Sequence, residues 1–146
     1  MSDIRKVAIV GGNRIPFVRS NTSYSHASNM QMLTAALQGL VQRFDLEGER
    51  LGEVAAGAVM KHSKDFNLAR EAVLSSKLSA LTPGITLQQA CGTSLQTALN
   101  LAAKIAIGQI DSGIAAGSDT TSDAPIVFGK KFSKRMINVV QARSMK

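Results

Sequence analysis

An α/β layered fold, one mostly parallel sheet flanked by helices, is what this sequence predicts, and three observations predict it. Short apolar runs alternate with segments of helical periodicity, the order that parallel pairing through right-handed crossovers produces. The apolar residues are mainly Ala, Val, Ile, Leu and Met, with 12 Gly, 4% aromatics and no Trp, a set that lets helices and strands approach closely. At 146 residues the chain is long enough to bury about two-thirds of the surface its unfolded form exposes, so a core forms without cross-links.

Residues 6–10 are a β-rich apolar run that stops at Gly11-Gly12, which predicts a buried strand. Residues 13–29 are polar and turn-rich, with Pro16 and several Ser and Asn, and read as a long loop of the kind that carries function. A helix follows: Met30, Leu33, Leu37, Leu40, Val41 and Phe44 share one face, Ser28 and Gln31 have capping-box spacing, and Gly48 suits the exit. Residues 54–60, small and apolar, are the second strand. Asn67 then caps a helix with Leu68, Ala72 and Val73 inward, ending before Thr82-Pro83-Gly84.

Residues 85–90 form the third strand and turn at once into a third helix. Its predicted buried stripe is Leu95, Ala98, Leu99, Ala102, Ile105 and Ala106, closed by Gly108. Residues 112–117 are the fourth strand. Beyond Pro125, the i, i+4, i+7, i+8 spacing of Phe132, Met136, Val139 and Val140 predicts a basic amphipathic helix. The sequence contains no internal repeat.

The formal net charge is +7, and its location narrows its meaning. Residues 126–146 hold six of the 17 basic residues (Lys130, Lys131, Lys134, Arg135, Arg143 and Lys146) and none of the ten acidic ones, which leaves eleven basic against ten acidic elsewhere. A nearly neutral domain with a basic tail does not have the charge spread of a nucleic-acid-binding fold, and the scarcity of aromatics argues against base stacking. The tail itself is open to three readings: a solvated face, contacts to anionic phosphates, or a membrane-surface or partner-subunit contact.

One Cys forms no intrachain disulfide, the start of the chain shows no secretory leader, and no apolar run reaches the roughly 20 residues of a membrane span. The expected location is cytoplasmic. Gly11-Gly12 does not extend into Gly-x-Gly-x-x-Gly, so dinucleotide binding is not indicated.

Chemistry is concentrated at Cys91, in Gln89-Ala90-Cys91-Gly92-Thr93-Ser94-Leu95. A lone Cys is among the most buried residue types and commonly packs as a small hydrophobe. This one falls where a strand hands over to a helix. Unpaired N–H groups and the positive end of the helix dipole there favour a thiolate, the nucleophilic form. Gly92 allows a backbone or substrate to come close, its amide is an expected oxyanion donor, and small Thr93 and Ser94 leave room above the sulfur. His26, in the polar loop, and His62, after the second strand, read as solvated or locally bonded. No metal site is expected.

The segment Cys91-Gly92-Thr93-Ser94-Leu95-Gln96, followed by Ile107-Gly108-Gln109-Ile110-Asp111 and Ala115-Ala116-Gly117-Ser118-Asp119, resembles the nucleophile region of the thiolase family. Ile9-Val10-Gly11-Gly12-Asn13-Arg14-Ile15-Pro16-Phe17 is similar to that family's first strand and following turn, and Asn67-Leu68-Ala69-Arg70-Glu71-Ala72 to its second helix. The resemblance runs through nearly the whole chain. It implies a thiolase-like layered fold of which this is the N-terminal half of a two-fold repeat, with residues 1–125 the α/β domain and 126–146 the start of a basic substrate-covering loop region. Ser122-Asp123-Ala124-Pro125-Ile126 before a basic stretch looks closest to the fatty-acid β-oxidation branch, whose thiolase subunit works beside a hydratase/dehydrogenase partner.

What the resemblance implies for function is acyl transfer through an acyl-Cys91 intermediate: thiolytic cleavage of a 3-ketoacyl-CoA to acyl-CoA and acetyl-CoA, or the reverse condensation. Coenzyme A is then a substrate, no cofactor is needed, and Lys134 and Arg135 are the candidate contacts for its phosphates. A homodimer or higher homo-oligomer is implied too. The family's activating His and second, acid/base Cys have no match in this sequence, so the 146-residue chain is expected to turn over poorly by itself. The rival readings are a ketoacyl synthase fragment and a catalytically dead subunit-interaction module.

Overall fold

The computed structural model describes residues 4–142. Its elements are α1 (Asn29–Arg43), β1 (Glu53–Ala56), α2 (Leu68–Ser75), β2 (Gly84–Thr86), α3 (Thr93–Ala106), β3 (Gly113–Ala115) and α4 (Lys130–Gln141). The three strands make one parallel sheet in the order β2-β1-β3, with Val54 opposite Gly84 on one side and Ile114 on the other. The crossover through α2 thus steps to one side of β1 and the crossover through α3 steps back past it. Right-handed connections then place the two helices on opposite faces.

Alternation along β1 shows both faces at work. Val54, Ala56 and Ala58 join Leu33, Leu37 and Val41 of α1 and Leu68, Ala69, Ala72 and Val73 of α2 in one buried cluster. Ala55, of opposite parity, is buried toward the face where α3 packs on β1. Each fully buried Leu or Val contributes about 1.5–3 kcal/mol. Lys104 of α3 adds an ion pair to Glu53 at 2.6 Å.

Local signals explain the helix ends. The Ser28–Gln31 capping box forms in both directions at the start of α1. Asn67 caps α2 by accepting from the Arg70 N–H at 3.1 Å, and its Nδ2 donates to Gly84 O at 2.9 Å, fastening the helix to β2. Leu68, Ala72 and Val73 face inward as expected.

Several expectations need correcting. Residues 6–10 are no strand: the segment is tied below by Arg5 N–H to Ala106 O (3.0 Å) and the Arg5–Asp111 pair (2.6 Å), and above by Arg43 to Gly12 O (2.9 Å), but it pairs with no strand. Ile9 and Val10 are 95% and 85% exposed. Apolar composition predicts a strand only where a neighbouring edge is within reach to take its hydrogen bonds.

The other strands are shorter than their apolar runs. β1 stops at Ala56 instead of residue 60, because the amides of Val59 and Met60 turn away to the Asp119 carboxylate. β2 covers Gly84–Thr86 rather than 85–90, because the chain turns sharply at Ala90, whose φ is 42°. β3 is Gly113–Ala115 within the expected 112–117.

The predicted stripe of α3 also shifts. Thr93, Thr97 and Leu101 are buried on the sheet, while Leu95 and Leu99 are 68% and 54% exposed. The helix is apolar around most of its circumference, and periodicity alone does not say which side meets the sheet. α4 forms over the predicted span, but buries no residue and packs on no other element among the described residues. Lys130, Lys131, Lys134 and Arg135 lie on it; Arg143 and Lys146 of the basic tail lie outside the described residues.

Candidate active site

Each strand of the sheet delivers its C-terminal end to the same place. Gly57, Ala58 and Val59 follow β1, Ala90 and Cys91 come from the turn after β2, Gly117, Ser118 and Asp119 follow β3, and Thr93 and Ser94 open α3; together they line a cavity of about 270 Å³. In open α/β sheets ligands bind outside the carboxyl ends of the strands, at the point where successive crossovers diverge. Here that point lies between β1 and β3, beside Cys91.

Cys91 is a free, exposed thiol two residues ahead of α3. The turn that presents it is held by Thr93, which is buried. Its Oγ1 donates to Ala90 O at 2.8 Å and accepts from the Gln89 N–H at 2.9 Å. The Gly92 N–H donates to Gln89 O at 2.9 Å and that of Thr93 to Ala90 O at 3.2 Å, so both amides serve the turn. With no side-chain cap on α3, the N–H groups of Ser94 and Leu95 have no acceptor among the described residues. The place expected for Gly92 is not open to its amide, which the turn takes up.

Close approach of the three strand ends depends on two glycines. A Cβ at Gly57 would lie 1.8 Å from Leu87 O and 2.6 Å from Thr93 Cγ2. At Gly117 a Cβ would sit 2.0 Å from Ser94 Oγ. A side chain at Gly57 would push the nucleophile turn off the sheet, whereas one at Gly117 would force the Ser94 hydroxyl to turn away. At Gly92, by contrast, a Cβ would meet no atom closer than Gln89 O at 3.4 Å, so the space above it is open on this chain's side.

Charge at the rim comes from Asp119, whose carboxylate accepts from the N–H groups of Val59 (2.8 Å), Met60 (3.0 Å) and Thr120 (3.2 Å). The sequence reading used Asp119 only as part of a motif; an Asp just after a strand, with free amides beside it, was the available signal. His62 is bonded across the fold, its Nε2 lying 2.9 Å from Asp123 O and 3.2 Å from Asp123 Oδ1, and His26 is exposed. Neither lines the cavity. Lys134 and Arg135 stay on α4 and are not brought to it either.

Among the described residues no group of three or more His, Cys, Asp or Glu gathers as a metal site, and no helix is long and apolar enough to cross a membrane. A larger depression of about 410 Å³, lined by Gly12, Asn13, Arg14 and Arg43, carries no nucleophile. The arrangement around Cys91 is therefore the one that can do covalent chemistry: a reachable thiol, free amides at a helix start, and an open cleft formed by three loops.

Residues 7–145 match the family described as "Thiolase, N-terminal domain". The chain is 31% identical over 140 residues to a 3-ketoacyl-CoA thiolase of Colwellia psychrerythraea, covering 96% of this chain and 32% of that protein. It is 34% identical over 139 residues to a 3-ketoacyl-CoA thiolase of Shewanella woodyi, covering 95% and 32%. The crystal structure of the Bacillus anthracis acetyl-CoA acetyltransferase superposes on 82% of the chain, and on 29% of its own length, with a TM-score of 0.71 at 22% identity. The chain thus spans about a third of the length of the curated relatives it matches.

Proposed function

The chain belongs to the thiolase family by its N-terminal domain, and from that premise we propose that it supplies the nucleophilic half of a thiolase-type acyltransferase, with Cys91 as the residue that carries the acyl group. The observation that supports this reading is the placement of the one free thiol in a cavity shared by the ends of all three strands. The thiolate of Cys91 attacks the ketone carbon of a 3-ketoacyl-CoA. The bond between C2 and C3 breaks, its electron pair leaves with the acetyl-CoA fragment, and that carbon takes a proton from an acid. The thiol of a second CoA then attacks the Cys91 thioester and releases the shortened acyl-CoA and the Cys91 thiolate. Two acyl transfers replace one difficult cleavage, and unbonded amides at the start of α3 share the negative charge that builds on oxygen.

The proton transfers of full turnover need groups these 146 residues do not contain, since the chain has one Cys and neither His lines the cavity. Those groups come from the rest of the protein or from another chain. The 1–125 and 126–146 division, a cytoplasmic location, a homodimer or higher homo-oligomer and a hydratase/dehydrogenase partner all belong to this same reading.

The test is mass spectrometry of the chain after incubation with acetyl-CoA. An acetyl group on the peptide containing Cys91, reversed by added CoA, is expected. An unmodified Cys91 in folded protein would leave the domain as an interaction module.

α4 has Lys130, Lys131, Lys134 and Arg135 on one side and Phe132, Met136, Val139 and Val140 on the other. We assign Lys134 and Arg135 to the phosphates of CoA. Lys134→Glu with Arg135→Glu is expected to weaken CoA binding about tenfold at low salt and much less at high salt. Unchanged CoA affinity, with loss of binding to anionic vesicles, would reassign the helix to a membrane surface.

A further inference from the structure

Val59, which lines the Cys91 cavity, and Met60 next to it are held in an unusual way. All four backbone polar groups of Val59 and Met60 are bonded to side chains from three different parts of the fold, and Val59 O also accepts from the Lys61 N–H at 3.2 Å. Asp119, after β3, accepts from the Val59 N–H at 2.8 Å and the Met60 N–H at 3.0 Å. Gln88, three residues before Cys91, reaches Val59 O with its Nε2 at 3.4 Å. Asn29, the first residue of α1 and only 3% exposed, donates through Nδ2 to Met60 O, and its Oδ1 accepts from Ser118 Oγ at 3.4 Å.

A backbone segment just past the end of a strand normally finds water or other backbone as its partner. Fixing it by an ionised carboxylate and a buried amide holds it much more firmly, because charge-assisted bonds are about twice as strong as neutral ones. The clamp also ties the wall to the nucleophile, since Gln88 belongs to the segment that ends at Cys91. Val59, 38% exposed, is the largest apolar side chain lining the cavity.

We infer that the clamped Val59–Met60 wall is a specificity determinant: it sets how large a group Cys91 can accept, with Val59 as the gauge and Asp119 as the positioning residue that keeps it in place. The inference deepens the acyl-transfer reading, and rests on it for the identity of that group as an acyl chain. The steric claim itself concerns any electrophile that must enter the cavity to reach the sulfur.

The test therefore uses reagents that need no catalysis. Rates of Cys91 modification in the 146-residue chain are compared for N-methylmaleimide and N-cyclohexylmaleimide, with iodoacetamide as a small control. The wild-type chain should favour the smaller maleimide. Val59→Ala, which shortens the gauge, and Asp119→Ala, which removes the charge-assisted bonds to the Val59 and Met60 amides, should each reduce that preference about fivefold or more, while the iodoacetamide rate stays within about twofold.

Asp119→Asn, which keeps one acceptor oxygen, should fall between wild type and Asp119→Ala. Both side chains lie outside the buried core, and circular dichroism shows whether the fold survives. A size preference unchanged in both Val59→Ala and Asp119→Ala overturns the inference. Acetyl-CoA labelling is scored separately: absent labelling with a shifted maleimide preference removes the acyl reading and keeps the wall, and the reverse keeps the acyl reading and removes the wall.

Discussion

Gly57→Ala is expected to unfold the domain or leave it with a sheet that no longer holds the nucleophile turn. The added Cβ would lie 1.8 Å from the Leu87 carbonyl oxygen, well inside any contact that real atoms make, and the atom it meets is backbone. No side-chain rotation relieves that clash. The same Cβ would also lie 2.6 Å from Thr93 Cγ2, so the chain must separate the end of β1 from the segment after β2 and lose the Leu87 N–H to Ala56 O bond of 2.9 Å. Overpacking at a well-filled site costs about 1–3 kcal/mol, and a steric conflict with fixed backbone falls in the range above about 4 kcal/mol that single substitutions rarely reach. Against a total stability of about 5–15 kcal/mol for a domain, the urea midpoint should drop by a large fraction. A midpoint close to wild type would mean that the sheet tolerates a gap where the structure draws it closed.

Cys91→Ser is the second. Oxygen in place of sulfur keeps the size of the group but offers an alcohol, which ionises far less readily than a thiol and has no activating base in this chain. Acyl labelling from acetyl-CoA should disappear, a loss of at least about a thousandfold in rate. Cavity and turn should be unaffected, because Thr93 and Gly92, not the Cys91 side chain, make the hydrogen bonds that shape the turn. Thermal unfolding of the variant should therefore match wild type, and labelling that persists in it would place the acyl group on another residue. Full thiolytic turnover is expected from neither protein alone, since the groups that move protons lie elsewhere; measurable thiolysis by the wild-type chain would contradict this.

What the sequence made legible follows from how local each signal is. The caps of α1 and α2 were readable because Ser28 with Gln31, and Asn67 with Arg70, act within a single turn. The position of Cys91 was readable because a strand followed at once by a helix is a local pattern with a known end point. Strand lengths were not, because Asp119, sixty residues away from Val59, decides where β1 stops. The outward turn of Leu95 and Leu99 was hidden for a different reason: α3 has apolar residues on most sides, and Thr93 and Thr97, polar by composition, take the buried side by bonding to Ala90 O and Ser94 O. The clamp on Val59 and Met60 was the least visible feature, since three segments must fold before its four bonds exist.

Arg5 meets Asp111 across a separation of 106 residues, and its N–H finds Ala106. During synthesis that anchoring point is made long after Ile4, Val7, Ile9 and Val10 have emerged. At about 5–20 residues per second, the leading segment waits roughly 5–20 s for that anchor, held until then only at its far end, where Arg43 donates to Gly12 O. Anchoring fixes the path of the segment without covering it, because Ile4, Ile9 and Val10 stay largely exposed in the folded chain.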